Sequence, residues 1–182
     1  MPELIIPDGR VHASFIDAMT EFQSEGRGVP EDDSVVGQDI LQYSPAWSAP
    51  DVFAEYIQSV LADGREDSAR PEGQVPATSL WYVEGDTYVG RITIRHALTP
   101  RLLERGGHIG YDIRPSARRR GHGTAMLRAA LPVAMGLGID QVLITCSTDN
   151  LASSKVIQAC GGLLEDQRNG KLRYWINSAD FR

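Results

Sequence analysis

The sequence predicts one α/β domain, a mixed central β-sheet of about seven strands with flanking helices. Three observations lead there. The chain has 182 residues, close to one domain on a prior of about 150 residues per domain. Apolar residues recur every three or four positions in the first third, then switch to a spacing of two from about residue 77. Two tight-turn signals, Gly85-Asp86 and Asn169-Gly170, each sit between strand-forming runs.

Leu4-Ile5-Ile6, closed by Pro7-Asp8-Gly9, reads as a first strand and turn. Val11, Phe15, Met19 and Phe22 form one stripe of an amphipathic helix, which Gly26 and Gly28 end. The stretch 27–50, with Pro30, Pro45, Pro50 and the run Glu31-Asp32-Asp33, reads mostly as loop. A second helix is expected over 51–63, and residues 64–76 form another loop. Strands are expected at 79–83, 88–94 and 107–113, followed by an Arg- and Gly-rich loop and a helix over about 121–136. Pro132 lies inside that helix, where it should remove one backbone bond and bend it. Gln141 to Cys146 is nearly continuously apolar, as in a central strand. A helix over about 151–160, closed by Gly161-Gly162, and strands near 162–167 and 171–177 complete the chain. No linker or repeat interrupts it. All of 1–182 reads as one domain, with helices and loops in 1–76 and the strand-rich part in 77–178.

Composition narrows the class. An apolar fraction of 42% and a charged fraction of 23% exclude a wholly disordered chain, a collagen and a coiled coil. No apolar run approaches the roughly 20 residues of a membrane helix, and Met1-Pro2-Glu3 lacks the start of a secretory signal. Cys146 and Cys160 are too few for a disulfide scaffold and lack metal-ligand spacing. The expectation is a cytoplasmic protein with reduced thiols, no metal and no membrane contact. The net charge of −6 divides unevenly: residues 1–86 carry −13 and residues 87–182 carry +7. Such a division suggests a basic surface for an anion and an acidic one for a cation, or simply solvated helix faces in the first half.

The most informative segment is Ile113-Arg114-Pro115-Ser116-Ala117-Arg118-Arg119-Arg120-Gly121-His122-Gly123-Thr124. It joins a strand to a helix, and a helix N-terminus offers unpaired N–H groups and partial positive charge to a phosphate. Glycine allows close approach to the backbone, and the arginines at 114, 118, 119 and 120 add guanidinium donors. Walker spacing is absent, and so is the dinucleotide-binding glycine pattern. What stands there is Arg-x-x-Gly-x-Gly, from Arg118 to Gly123.

In this motif and its setting the chain resembles the GNAT superfamily of N-acetyltransferases. The setting is a strand, Ile113-Arg114-Pro115, the motif, a helix, an apolar strand, and Asp149-Asn150 opening another helix. A further likeness, to one branch of predicted acetyltransferases, rests on Arg95-His96, Gly106 to Tyr111, Arg114-Pro115-Ser116 and Arg173-Tyr174-Trp175. The resemblance implies a GNAT-like fold, acetyl-CoA as acyl donor, and direct transfer of its acetyl group to a primary amine. It implies that the backbones of Tyr111 and Ile113 hold the pantetheine arm, a backbone N–H near Tyr111 stabilising the oxyanion. Arg118, Arg119, Arg120, Gly121, His122, Gly123 and Thr124 would hold the pyrophosphate. Asn150 would contact the cofactor from the opposite wall, or serve as a helix N-cap, or both.

One position departs from the family. Where many members carry a Tyr that protonates the leaving thiolate, this chain has Ile157. Tyr174 is a substitute by residue type, with core packing as its alternative. For the general base, His108 has suitable chemistry, with a structural histidine as the alternative; Asp112 and Glu84 are weaker candidates, and His96 is placed to line the acceptor pocket. Cys146 reads as a buried thiol. The acceptor is expected to be cationic, drawn by the acidic first half and the Glu31-Asp32-Asp33 run; a homodimer is left open. Two other classes compete. A non-catalytic acyl-CoA sensor would suit the missing helix Tyr. A nucleic-acid-binding module would use Arg114 to Arg128, but an isoelectric point near 5.2 and the lack of interleaved aromatics oppose it.

Overall fold

The computed structural model describes residues 1–181. Short strand β1 (Glu3–Ile5) leads into helices α1 (His12–Ser24), α2 (Val35–Tyr43) and α3 (Pro50–Asp63). The hairpin β2 (Ala77–Glu84) and β3 (Thr87–Arg95), the short helix α4 (Pro100–Glu104) and strand β4 (Ile109–Ile113) follow. Then come α5 (His122–Gly136), β5 (Gln141–Ser147), α6 (Leu151–Ala159) and the hairpin β6 (Leu163–Arg168) and β7 (Lys171–Asn177).

Seven strands and flanking helices match the expected class, but the sheet is not continuous. Strands β1-β2-β3-β4 form one antiparallel sheet and β5-β7-β6 a second. Between β4 and β5 the backbone meets at the Gly107–Ile144 bridge, where the His108 N–H donates to the Leu143 carbonyl at 2.8 Å. Beyond that point β4 and β5 form no ladder. A gap therefore opens beside Tyr111 and Ile113.

Two apolar layers hold this arrangement. One face of both sheets packs on α5 and α6 through Ile92, Ile94, Leu127, Leu131, Ile144 and Ile157. The other face of the β2–β3 hairpin packs on α1, α2 and α3 through Phe15, Phe22, Trp47, Phe53, Tyr56 and Trp81. The strands alternate accordingly: Leu80 and Tyr82 join the first layer, Trp81 and Val83 the second. At Asn169 and Gly170 both residues have positive φ, 46° and 73°, as the last hairpin turn requires.

Helix α2 falls where a loop was expected. Ser34 caps it, accepting from the Gly37 N–H at 3.1 Å, and Val36 and Ile40 bury one short stripe. Nine residues between prolines give too little periodicity to stand out from the surrounding turn chemistry.

The charge division has a structural explanation. Acidic residues of the first half dock on arginines of the second: Glu21 on Arg114, Glu25 on Arg118, Asp33 on Arg105 and Asp39 on Arg91. Part of the asymmetry is thus the complementarity of one layer for the other.

Candidate active site

Strand β4 forms one wall of the gap. The Arg114 N–H donates to the Val89 carbonyl at 2.9 Å, and Asp112 stands opposite Arg91. Alternation then turns the N–H and C=O groups of Tyr111 and Ile113 away from β3 and toward the gap. On that side the Ile113 carbonyl accepts from Arg118 Nε at 3.0 Å.

The segment after β4 turns through Pro115–Ala117 and enters α5 at Gly121, whose φ of +83° lies in the left-handed region. No side chain caps the helix. Among the described residues, the backbone N–H groups of 119 through 124 have no protein acceptor. They border a cleft of about 1050 Å³, together with Tyr111, Ile113, Asn150, Ser153, Glu25 and Arg27. Every position that the sequence marks for the cofactor lines this one cleft: Tyr111, Ile113, Arg118, Arg119, Arg120, Gly121, His122, Gly123, Thr124 and Asn150.

The arginines divide into two kinds. Arg118 holds both carboxylate oxygens of Glu25, at 2.7 and 2.8 Å, so each of its guanidinium nitrogens already has an acceptor. Arg114 is bound to Glu21, the Ser14 hydroxyl and the Tyr88 carbonyl. These two pin α1 to the loop. Arg119 and Arg120 form no ion pair among the described residues, which leaves their charges available to an anion in the cleft. Asn150 caps α6, its Oδ1 accepting from the Ser153 N–H at 3.1 Å, and also lines the cleft. Both of its readings fit.

Of the residues proposed for proton transfer, His108 lies outside the cleft lining. It is buried, and its Nδ1 accepts from the Leu143 N–H at 3.0 Å, tying β4 to β5. Burial, aided by the charge of Arg95, lowers its pKa to about 4. An imidazole so placed holds the closed end of the gap. Its folded pKa lies below the ordinary 6.5, so the unfolded chain binds the extra proton first as pH falls. The stability contribution is complete above about 6.5 and is lost on descent toward about 4. Urea denaturation midpoints should therefore fall more steeply from pH 7 to 4.5 in wild type than in His108→Gln; equal slopes would contradict this.

Tyr174 also lies outside the cleft lining, its hydroxyl bonded to Ser154 at 2.8 Å and to Gln158 at 3.2 Å inside the core. Ile157 is fully buried. His96 bonds to Thr78 at 2.8 Å and Glu84 faces the chain's amino terminus, neither of them at the cleft. Cys146 is buried, and burial pushes its thiol up. Two groups remain. Asp112 borders the cleft, with Oδ1 on Arg27 Nη1 at 3.2 Å and Oδ2 without a protein partner. The Tyr111 hydroxyl lies 2.8 Å from Ser153 Oγ, and burial raises its pKa against the effect of that bond.

Arg27 and Ser153 carry no signal in the sequence. Arg27 follows the glycine that ends α1 and gains its place only through folding. It joins Asp112 to Asp32 and Ser34 of the loop before α2. Burial alone would raise the Asp32 carboxyl, but bonds from Ser34, Arg27 and the Gly28 N–H hold it below its usual range. The Glu31-Asp32-Asp33 run is thus largely engaged within the protein, Asp33 by Arg105.

Comparison with known proteins gives a consistent picture. The family model described as an acetyltransferase (GNAT) domain matches residues 30–162. No curated protein matches the chain by sequence. Among solved structures, the ribosomal-protein-S5-alanine acetyltransferase of Vibrio fischeri superposes with a TM-score of 0.67 at 12% identity, covering 100% of this chain and 95% of that one. RimJ of Mycobacterium smegmatis, in complex with a CoA disulfide, gives 0.66 at 17% identity, covering 98% and 83%. The microcin C7 self-immunity acetyltransferase MccE, in complex with acetyl-CoA and AMP, gives 0.64 at 13% identity, covering 97% and 92%.

Proposed function

We infer that this cleft is where the chain, which belongs to the GNAT acetyltransferase family, holds acetyl-CoA for direct transfer of the acetyl group to a primary amine. The observation that carries the assignment is the row of N–H groups from 119 to 124, without protein acceptors, flanked by the unpaired Arg119 and Arg120. Such a row at a helix N-terminus suits a pyrophosphate. The gap beside Tyr111 and Ile113 then takes the pantetheine arm, with the Tyr111 N–H directed at the thioester carbonyl.

Asp112 is the base of this reading. An amine near pKa 10.4 attacks in its neutral form, and its nitrogen becomes acidic as the C–N bond forms. The free Oδ2 of Asp112 accepts that proton. Tyr111, kept protonated by burial, donates a hydrogen bond to the departing sulfur in place of the residue that Ile157 replaces. These two polar groups in the cleft favour an enzyme over a silent acyl-CoA sensor. The ion pairs of Arg114 and Arg118 leave no basic stripe of the kind nucleic-acid binding needs. A cytosolic setting would keep Cys146 and Cys160, both free and buried, reduced.

Thermal denaturation with acetyl-CoA, paired with thiol release over a panel of amines, tests it. At 100 times Kd, acetyl-CoA should add about 2.7 kcal/mol of stability, and at least one amine should release CoA. An unchanged Tm at millimolar acetyl-CoA would overturn the assignment.

A further inference from the structure

On the β4 face that carries Asp112, Arg95 is left without a carboxylate. Arg91, Thr93 and Arg95 alternate along β3 toward that same face. Arg91 is bound to Asp39, Arg27 to Asp112 and Asp32, and Arg105 to Asp33. Arg95, half-buried, forms no ion pair among the described residues. Its Nη1 donates to the Gly106 and Gly107 carbonyls at 3.3 and 3.2 Å, while Nη2 and Nε have no protein acceptor. Neither nitrogen is sealed from solvent. A partly buried guanidinium with two free donors is suited to a planar anion.

Arg95 and Gly110 lie outside the cleft lining, on the same face of the sheet as Asp112, which borders it. The guanidinium lies over Gly110, between His108 and Asp112 on β4. A methyl group at Gly110 would meet nothing nearer than Arg95 Nη1 and Nη2, both at 3.8 Å. Gly110 and Asp112 are two residues apart, so their side-chain positions on this face are separated by about 7 Å. Arg101 is near enough to lower the pKa of Arg95 further, after burial. Further along the strand stands the carboxylate of Asp112, with Oδ1 on Arg27 and Oδ2 free of protein partners. The ammonium and carboxylate ends of one small molecule match this order of charges.

We propose that Arg95 binds a carboxylate of the acceptor, so that the amine acetylated here belongs to an amino acid or a short peptide with a free carboxylate. This inference rests on Asp112 marking the amine end of the cleft. It differs from the expectation of a purely cationic acceptor, which drew on the acidic first half, where Glu21, Glu25, Asp33 and Asp39 are engaged by arginines of the second.

Matched acceptors test it. Thiol release from acetyl-CoA is measured with lysine against cadaverine, 4-aminobutyrate against 4-aminobutyramide, and glycylglycine against its amide. The carboxylate-bearing member of at least one pair should be favoured about 10-fold or more in kcat/KM, since a charge-assisted pair of bonds is lost with its partner. Arg95→Met should collapse that preference toward unity with the KM for acetyl-CoA unchanged, and Arg95→Lys should keep part of it. Gly110→Ala, which the folded chain accommodates, should raise KM for the carboxylate acceptors alone. Equal use of both members of every pair, or a preference that survives Arg95→Met, would overturn the proposal. If no amine releases CoA, acetyl transfer itself is at fault. Calorimetric binding of glycylglycine in the presence of CoA then decides: binding lost in Arg95→Met supports the carboxylate site, and binding equal in the variant or absent from wild type refutes it.

Discussion

Gly121→Asp should weaken acetyl-CoA binding by about 100-fold or more while leaving the fold in place. The position has room, since no atom lies within 4 Å of an added Cβ, but its φ is +83°. Asp is among the few L-residues that tolerate this region, at a cost of about 1 kcal/mol. Without ligand, a carboxylate here sits at the positive end of α5 and partly offsets that cost. With ligand, it faces the pyrophosphate across the same N–H groups. Like charges in contact cost several kcal/mol, and about 2.8 kcal/mol is 100-fold. Gly121→Ala carries the strain without the charge, so its Kd should change only a few-fold. Calorimetry on both variants separates repulsion from strain; equal losses would show that backbone geometry dominates. Gly123 is the less clean site, because a Cβ there would meet Val156 Cγ2 at 3.2 Å and press on α6.

Asp112→Asn should lower kcat/KM for the best amine by about 100-fold, within the usual range for loss of a general base. The amide keeps the shape of the carboxylate and can still accept from Arg27 through its oxygen, so the loop before α2 should stay docked. Acetyl-CoA affinity should change by less than about threefold, since Asp112 contributes no donor to the cofactor. The pH profile separates roles. Both proteins should gain activity toward high pH as the amine loses its proton, with the variant lower throughout. A variant with wild-type kcat/KM would remove Asp112 from the reaction and leave the base unassigned.

What was legible in the sequence followed from local chemistry. Glycines at a strand-to-helix junction mark a loop with unpaired amides at a helix start because only backbone geometry is needed to build one. Each residue of that loop borders the cleft, as does Asn150 from α6. The hairpins at Gly85 and Asn169 were equally readable, since their turn residues must adopt positive φ. The split between β4 and β5 was not. It arises from a missing ladder between strands separated by a helix, and no single residue announces it. Side-chain roles set by distant partners were also hidden. Arg118 looks like a phosphate ligand in isolation, yet Glu25, from α1, takes up its guanidinium. His108 has the chemistry of a base, yet it is buried outside the cleft lining with its Nδ1 on the Leu143 N–H. Charge counting could not see that four acids of the first half meet arginines of the second across the layer boundary.

The row of amides at the start of α5 can be observed directly. Hydrogen exchange resolved to single amides, with and without acetyl-CoA, reads the N–H groups of 119 to 124 one by one. They have no protein acceptors, so they should exchange rapidly in the protein alone and become protected on acetyl-CoA binding, with little change in the buried turns of α5. Unchanged exchange at these positions under saturating acetyl-CoA, or protection confined to another surface, would contradict the assignment of the cleft.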